Sequence, residues 1–305
     1  MKKFTLMLLG CTLFLGLNTS VTGHTNEEYF MPQVPDPSAI TIDGNEDDWG
    51  WMEEDFKIGL DQTWDSVTGD VQRDGLDFSW FAGWSAPPDN RVYFFIRVQD
   101  DTLRLLEEDQ KRWWSDDHVQ IYIDADHSGG NFLGENLDQV YNGQRYHLRI
   151  KPLPGQPVAY NSLLEYIDLP EIGWSSDLYN GEPTEWFEIA WTLLPAGAGH
   201  LSTNITWTME FRAALWDIHN TSPETSIRHI FQPDKIIHFG ARVGDSDGEG
   251  AKHRMVMIGA QPQAGQKAQY HPDWILLEAD EAEAETAVRS TSWGRIKSHL
   301  GLQLR

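Results

Sequence analysis

Residues 118–124 read His118-Val119-Gln120-Ile121-Tyr122-Ile123-Asp124. In an extended chain Val119, Ile121 and Ile123 fall on one side, and His118, Gln120 and Tyr122 on the other. A period of two with one apolar face is the signature of a strand packed on a core. The same reading extends upstream. Phe78, Trp80, Ala82 and Trp84 alternate with Ser79, Phe81 and Gly83, and Val92, Phe94, Ile96 and Val98 share one face of the next run. Downstream, Tyr146, Leu148 and Ile150 alternate with His147 and Arg149, and Phe187, Ile189 and Trp191 form another set. Ile205, Trp207, Met209, Phe211, Ala213 and Leu215 form the longest. Turn clusters such as Pro87-Pro88-Asp89-Asn90 and Asn142-Gly143 bound most of these runs, and only residues 102–111 read as a short helix. Short alternating strands separated by turn residues predict an all-β fold: one antiparallel β-sandwich domain, immunoglobulin-like, with long loops.

The chain has 305 residues, with 47 Asp+Glu against 23 Lys+Arg and a formal charge of −24. That balance excludes a nucleic-acid binder, which needs a basic surface to displace counterions. Fourteen Trp against one Cys point to a core built from aromatic rings without disulfides, or to flat platforms for ligands. Lys2-Lys3 precedes an apolar run over residues 4–17, and Val21-Thr22-Gly23 suits cleavage, so residues 1–23 read as a secretory signal peptide. The rival reading is a lipoprotein box at Leu8-Leu9-Gly10-Cys11, but the apolar run continues past Cys11. The expected protein is secreted or extracytoplasmic. Residues 24–38 read as a flexible lead-in, 39–279 as the sandwich, and 280–305 as an acidic linker followed by a short basic amphipathic tail. Trp293, Ile296 and Leu300 fall at helical spacing in that tail, which is either a surface or membrane docking element or a weakly packed terminus.

Three segments occur in a telling order. Ile42-Asp43-Gly44-Asn45-Glu46-Asp47-Asp48-Trp49 opens the domain. A strand ending in Val98-Gln99-Asp100-Asp101 follows, and then Trp113-Trp114-Ser115-Asp116-Asp117 leading into the strand quoted first. This succession resembles the family 9 carbohydrate-binding modules of the DOMON-like β-sandwich group. Glu185-Trp186-Phe187-Glu188 and the run from Trp207 to Asp217 are similar to later strands of that family. The resemblance implies recognition of poly- or oligosaccharide ends without catalysis, by two aromatic side chains that sandwich the terminal sugar. Trp114, three residues before Asp117, matches the first of them, with a core anchor as the other reading. The second falls near Tyr270. The family's strand after the long loop supplies a basic hydrogen-bonding side chain, which points to His147 or Arg149. Both project away from the apolar face of their strand, toward a ligand or toward a cross-strand acid. Trp216, on the opposite face from Leu215, is a further candidate for a binding surface.

Metal is the second theme. Asp124, Asp126, Ser128, Gly129 and Glu135 occupy the first, third, fifth, sixth and twelfth positions of a calcium-type loop. Alternate side chains around a Gly turn converge oxygens on a hard cation. The competing reading is a polar hairpin whose aspartates cap the turn. The resembling family binds calcium structurally, and Asp245-Ser246-Asp247-Gly248-Glu249 is a second acidic turn. Two alternative functions remain open. A glycoside-active accessory protein would need two carboxylates across a scissile bond, and no Ser-His-Asp or zinc-ligand spacing is visible. A haem-binding electron-transfer domain would need axial ligands such as Met255 or Met257.

Overall fold

The computed structural model describes residues 28–66, 69, 74–106, 115–131, 141–151, 155, 157–161, 170–247, 254–258 and 263–279. Its strands are β1 (Glu28–Pro32), β2 (Ile58–Gly59), β3 (Thr63–Asp65), β4 (Leu76–Trp84), β5 (Val92–Thr102), β6 (His118–Asp124), β7 (Gln144–Arg149) and β8 (Ala159–Asn161). They continue with β9 (Phe187–Leu194), β10 (Thr203–Ala213), β11 (Trp216–Ile218), β12 (Ile227–Arg228), β13 (Ile236–Asp245), β14 (Arg254–Ile258) and β15 (Asp273–Leu277). Among the described residues, the helical elements between them are short 3₁₀ turns. One sheet runs β1-β15-β13-β6-β7-β8, with β14 beside the far end of β13 and β3 beyond it; a second runs β2-β4-β5-β10-β9, and β11 and β12 pair as a small ribbon. The predicted all-β sandwich is what the chain forms. Among the described residues, no helix is long and apolar enough to cross a membrane.

The apolar faces named from alternation meet between the sheets. Phe78, Trp80, Trp84, Phe94, Trp207 and Phe211 of one sheet pack on Ile121, Tyr146, Phe239 and Trp274 of the other. Trp80 sits at the centre, 5.4 Å from Phe94, 6.0 Å from Phe239 and 5.5 Å from Trp274, ring centre to ring centre. Two of the buried indoles satisfy their polar atom through backbone carbonyls: Trp274 Nε1 donates to Phe239 O at 2.8 Å and Trp84 Nε1 to Leu277 O at 3.0 Å. Burying aromatic rings at roughly 25 cal/mol per Å² is the main stabilisation open to a sandwich without disulfides.

Three features differ from the sequence reading. The expected lead-in becomes structure from Glu28 onward: β1 pairs in parallel with β15, Glu28 opposite Asp273 and Pro32 opposite Leu277. Met31 is fully buried there, so this segment gains core contacts that its mixed polarity does not advertise. Thr102 ends β5 and Leu103–Leu106 is irregular, so the described part of the expected helix is not helical; residues 107–111 lie outside the described residues. Finally, the other face of β4 and β5 is also covered. Phe81, Tyr93 and Phe95 form a second small core with Val34, Ile40, Trp49 and Met52.

The opening motif builds that second core. Gly44 has φ +81°, and a Cβ there would lie 2.8 Å from the Trp191 backbone, so only glycine lets this turn rest on β9. Glu210 of β10 holds it down. Its Oε2 accepts the N–H groups of Asp43 and Gly44 at 3.0 Å each, and its Oε1 accepts Trp49 Nε1 at 2.7 Å. Burial pushes the Glu210 carboxyl up to about 7, against the pull of those three donors.

Candidate functional site

The outward face of the larger sheet is polar, and yet it is buried. Strand alternation puts His118, Gln120, Tyr122 and Asp124 on this face of β6, and the register aligns them with neighbours on both sides. His118 lies opposite Arg149, Gln120 opposite His147 and Tyr122 opposite Arg145 on β7. On β13, Arg242 lies opposite Gln120, and Gly240 and Gly244 lie opposite Tyr122 and His118. Gln120, His147, Arg145 and Arg149 are each at most 3 % exposed. A solvated sheet face would not sequester three guanidinium-bearing or imidazole side chains in this way.

Gln120 is the hub. Its Nε2 donates to His147 Nε2, and its Oε1 accepts from Tyr122 Oη at 2.6 Å and from Arg242 Nη1 at 3.2 Å. The first bond requires a lone pair on His147 Nε2, hence a neutral ring. Burial first, then Arg145 and the neighbouring His118, Arg149 and Arg242, hold His147 well below the usual imidazole range, in agreement. The Arg145 and Arg242 guanidiniums lie 5.7 and 5.5 Å from the centre of the Tyr122 ring.

Glycines make room for the rings on this face. A Cβ on Gly240 would lie 2.2 Å from His271 Nδ1, and one on Gly244 would lie 1.9 Å from His118 Cε1. His271 therefore stacks on Tyr122 at 4.6 Å between centroids, and its Nε2 bonds Ala264 O at 2.7 Å. Arg145 Nη1 donates to Gly265 O at 3.1 Å, so residues 264–271 are tied to the face at two points. Within an acidic chain the result is a concentrated cationic, hydrogen-bonding row.

The sequence candidates fall as follows. His147 and Arg149 lie in this row, and Arg149 Nη1 also approaches Asp116 Oδ2 at 3.7 Å. Tyr270 is half-buried beside His271 in the segment over the face, with Lys267 Nζ 5.9 Å from its ring centre. Trp114 lies outside the described residues. Ser115, the first described residue after it, is fully buried, and its carbonyl accepts Arg104 Nε at 2.6 Å, next to the end of β6 where His118 sits. Trp216 is elsewhere. It is buried among Trp174 and Trp186, 5.0 and 5.1 Å away and edge-on, with Arg228 over its ring at 5.3 Å. Gln120, Tyr122, Arg145, Arg242 and His271 were not singled out from the sequence. The signal for Gln120, Tyr122 and Arg145 was present: they continue the polar side of strands already read as alternating.

Two groups bear on metal. In the turn after β6, Asp124 Oδ2 accepts His238 Nδ1 and the Gly129 N–H, each at 2.7 Å, and Asp126 Oδ1 accepts the Ser128 hydroxyl at 2.5 Å and its N–H at 3.1 Å. Apart from the cross-strand His238 bond, these are turn-capping bonds. Glu135 lies outside the described residues. The second acidic turn has company that the sequence did not reveal. One carboxylate oxygen from each of Asp100, Asp101 and Asp247 lies within 4.8 Å of the others. Asp117 and Asp245, both buried, adjoin them. Burial and then the nearby Asp100 push Asp117 well above the usual carboxylate range, and burial and then Asp247 raise Asp100. Like charges crowded at low solvation are what a hard divalent cation relieves.

No family model matches the sequence, and no curated protein compared with it is similar. Solved structures are similar in fold. A family 9 carbohydrate-binding module from Caldicellulosiruptor kristjanssonii, in complex with cellotriose, superposes with a TM-score of 0.53 at 14% identity, covering 87% of this chain and 98% of the module. A module of the same family and organism, in complex with glucose, gives 0.50 at 11% identity over 83% and 96%. The chain therefore has the fold of the family 9 carbohydrate-binding modules.

Proposed function

We propose that this is a non-catalytic carbohydrate-binding protein that takes the end of a poly- or oligosaccharide chain on the outward face of its larger sheet. One observation carries the reading: the sequestered row of Gln120, His147, Tyr122, Arg145 and Arg149, with the half-buried Arg242 joined to it. A sugar offers many hydroxyls that donate and accept at once. Each guanidinium presents five N–H donors in a planar fork suited to pairs of adjacent hydroxyls. Neutral His147 and Gln120 add groups of both senses. An indole at Trp114 would supply the apolar surface on which the C–H face of a pyranose rests, with Tyr270 opposite it. Calcium at the Asp100, Asp101 and Asp247 cluster, with Asp117 and Asp245 beside it, would fix the start of β6 and so the approach to the row. An exported protein, led by residues 1–23, is the reading that suits an extracellular glycan ligand.

The test is a glycan-binding screen with wild type and Trp114→Ala, each with and without EDTA. Binding by wild type and loss in the variant are expected. Identical binding by the two proteins overturns the role of Trp114, and binding of no glycan by either overturns the function.

A further inference from the structure

Below Tyr122 the same sheet face carries a second cluster, unrelated to the row that recognises sugar. Cross-strand register sets Asp124 of β6, His238 of β13 and Asp273 of β15 side by side. His127, on the turn after β6, folds back over His238 with ring centroids 4.0 Å apart. His127 Nε2 and His238 Nε2 both point at one atom, Asp273 Oδ1, at 3.0 and 3.2 Å. Donor atoms from the three residues all lie within 4.8 Å of one another.

We infer that His127, His238 and Asp273 form a binding site for a borderline divalent cation of the zinc class, with Asp124 as its supporting carboxylate. The donor chemistry makes the choice. Two imidazole nitrogens and one carboxylate suit zinc and its neighbours, whereas calcium and magnesium take six or more oxygens. Tetrahedral zinc with bonds of ~2.0–2.1 Å holds its donors about 3.3 Å apart, close to the spacings between each imidazole and Asp273. The supporting shell is already built. His238 Nδ1 is bonded to Asp124 Oδ2 at 2.7 Å, which directs its Nε2 toward Asp273. Asp124 is itself fixed by the Gly129 N–H.

Access fits as well. His238 is buried at 1 % exposure, while the His127 and Asp273 side chains are 26 % and 17 % exposed. A cation can therefore enter from solvent and keep a fourth position for water. On binding it replaces the proton that each Nε2 shares with Asp273, and the stacked rings must splay slightly. His127 is placed to do so because it rides on a turn. The ion would join the turn after β6 to β13 and β15.

The experiment is titration of the metal-stripped full chain with zinc chloride by calorimetry, and with Co(II) by visible absorption. One equivalent of zinc should bind, and Co(II) should give the intense visible bands of a tetrahedral site. His127→Ala and Asp273→Asn should each weaken zinc at least about 100-fold, and Asp124→Asn about 10–100-fold. His200→Ala, at an exposed histidine outside the cluster, should change nothing. Excess calcium should not displace the zinc. The inference is overturned if no equivalent of zinc binds, if the Co(II) spectrum is that of the hydrated ion, or if His127→Ala and Asp273→Asn bind zinc as wild type does. The Co(II) spectrum needs no variant, so it decides even where a substitution impairs folding.

Discussion

Glu210 offers a quantitative test of how the opening motif is locked to the sheet. Replace it with glutamine. One oxygen remains, and the better placement keeps it at the Oε2 position, where it retains the Asp43 and Gly44 N–H bonds of 3.0 Å. The new amide NH₂ then faces Trp49 Nε1, donor against donor, where a 2.7 Å bond stood. Losing a charge-assisted bond and leaving a buried donor unmet costs about 1.5–3 kcal/mol. The charge removed works the other way, because burial already pushes Glu210 up to about 7. The single variant therefore mixes two effects, and a double-mutant cycle with Trp49→Phe separates them. Phenylalanine has no N–H to strand, so Glu210→Gln should cost about 1.5–3 kcal/mol less in that background. Urea unfolding at pH 8, above the Glu210 titration, gives the four free energies, with equal m-values as the check. If the two substitutions add to within about 0.5 kcal/mol, the indole–carboxylate bond is not what fastens the motif.

Three further outcomes are expected. Gln120→Leu should leave the protein folded and lower glycan affinity at least about tenfold in calorimetry, since it removes the hub that joins His147, Tyr122 and Arg242; unchanged affinity would place the ligand elsewhere. His219 is fully buried and held at about 3, below the ordinary 6.5. Its depressed value contributes stability above pH 6.5 that is lost as pH falls toward 3, at about 1.4 kcal/mol per pH unit. The drop in unfolding free energy from pH 7 to 5.5 should be smaller by about that amount in His219→Gln, and an identical drop would refute it. Calcium at 100 times its dissociation constant should stabilise wild type by about 2.7 kcal/mol, a Tm rise of roughly 5–10 °C. Asp117→Asn should lose that response, and an equal rise in both proteins would remove Asp117 from the calcium site.

Alternation made β4, β5, β6, β7 and β10 legible, because each buries one face against the same core. It did not reveal β1, whose five residues carry a weak pattern and whose partner is the last described strand, about 245 residues away. The second core was partly visible. Phe81, Tyr93 and Phe95 are aromatic at positions that alternation assigns outward, and outward aromatics signal a covering layer. In the candidate site, His147 and Arg149 were legible from their strand, and Arg145 and Gln120 were equally so once the polar side was read as a surface. What spacing could not supply is register. His127, His238 and Asp273 are far apart in the chain, and only pairing of β6, β13 and β15 brings them to one point. The aspartates at 100, 101 and 247 meet because the end of β5 in one sheet lies near the segment that follows β13 in the other, which spacing cannot supply either.

The parallel pairing of β1 with β15 has a mechanical consequence. Glu28 begins one strand beside Asp273, and Pro32 ends it beside Leu277. A pull applied through Glu28 and Leu277 runs in opposite directions along two adjacent strands. The five residue pairs between them are loaded together in shear, instead of parting one at a time as a hairpin does. Tension between the two flanks would therefore be borne by all five pairs at once.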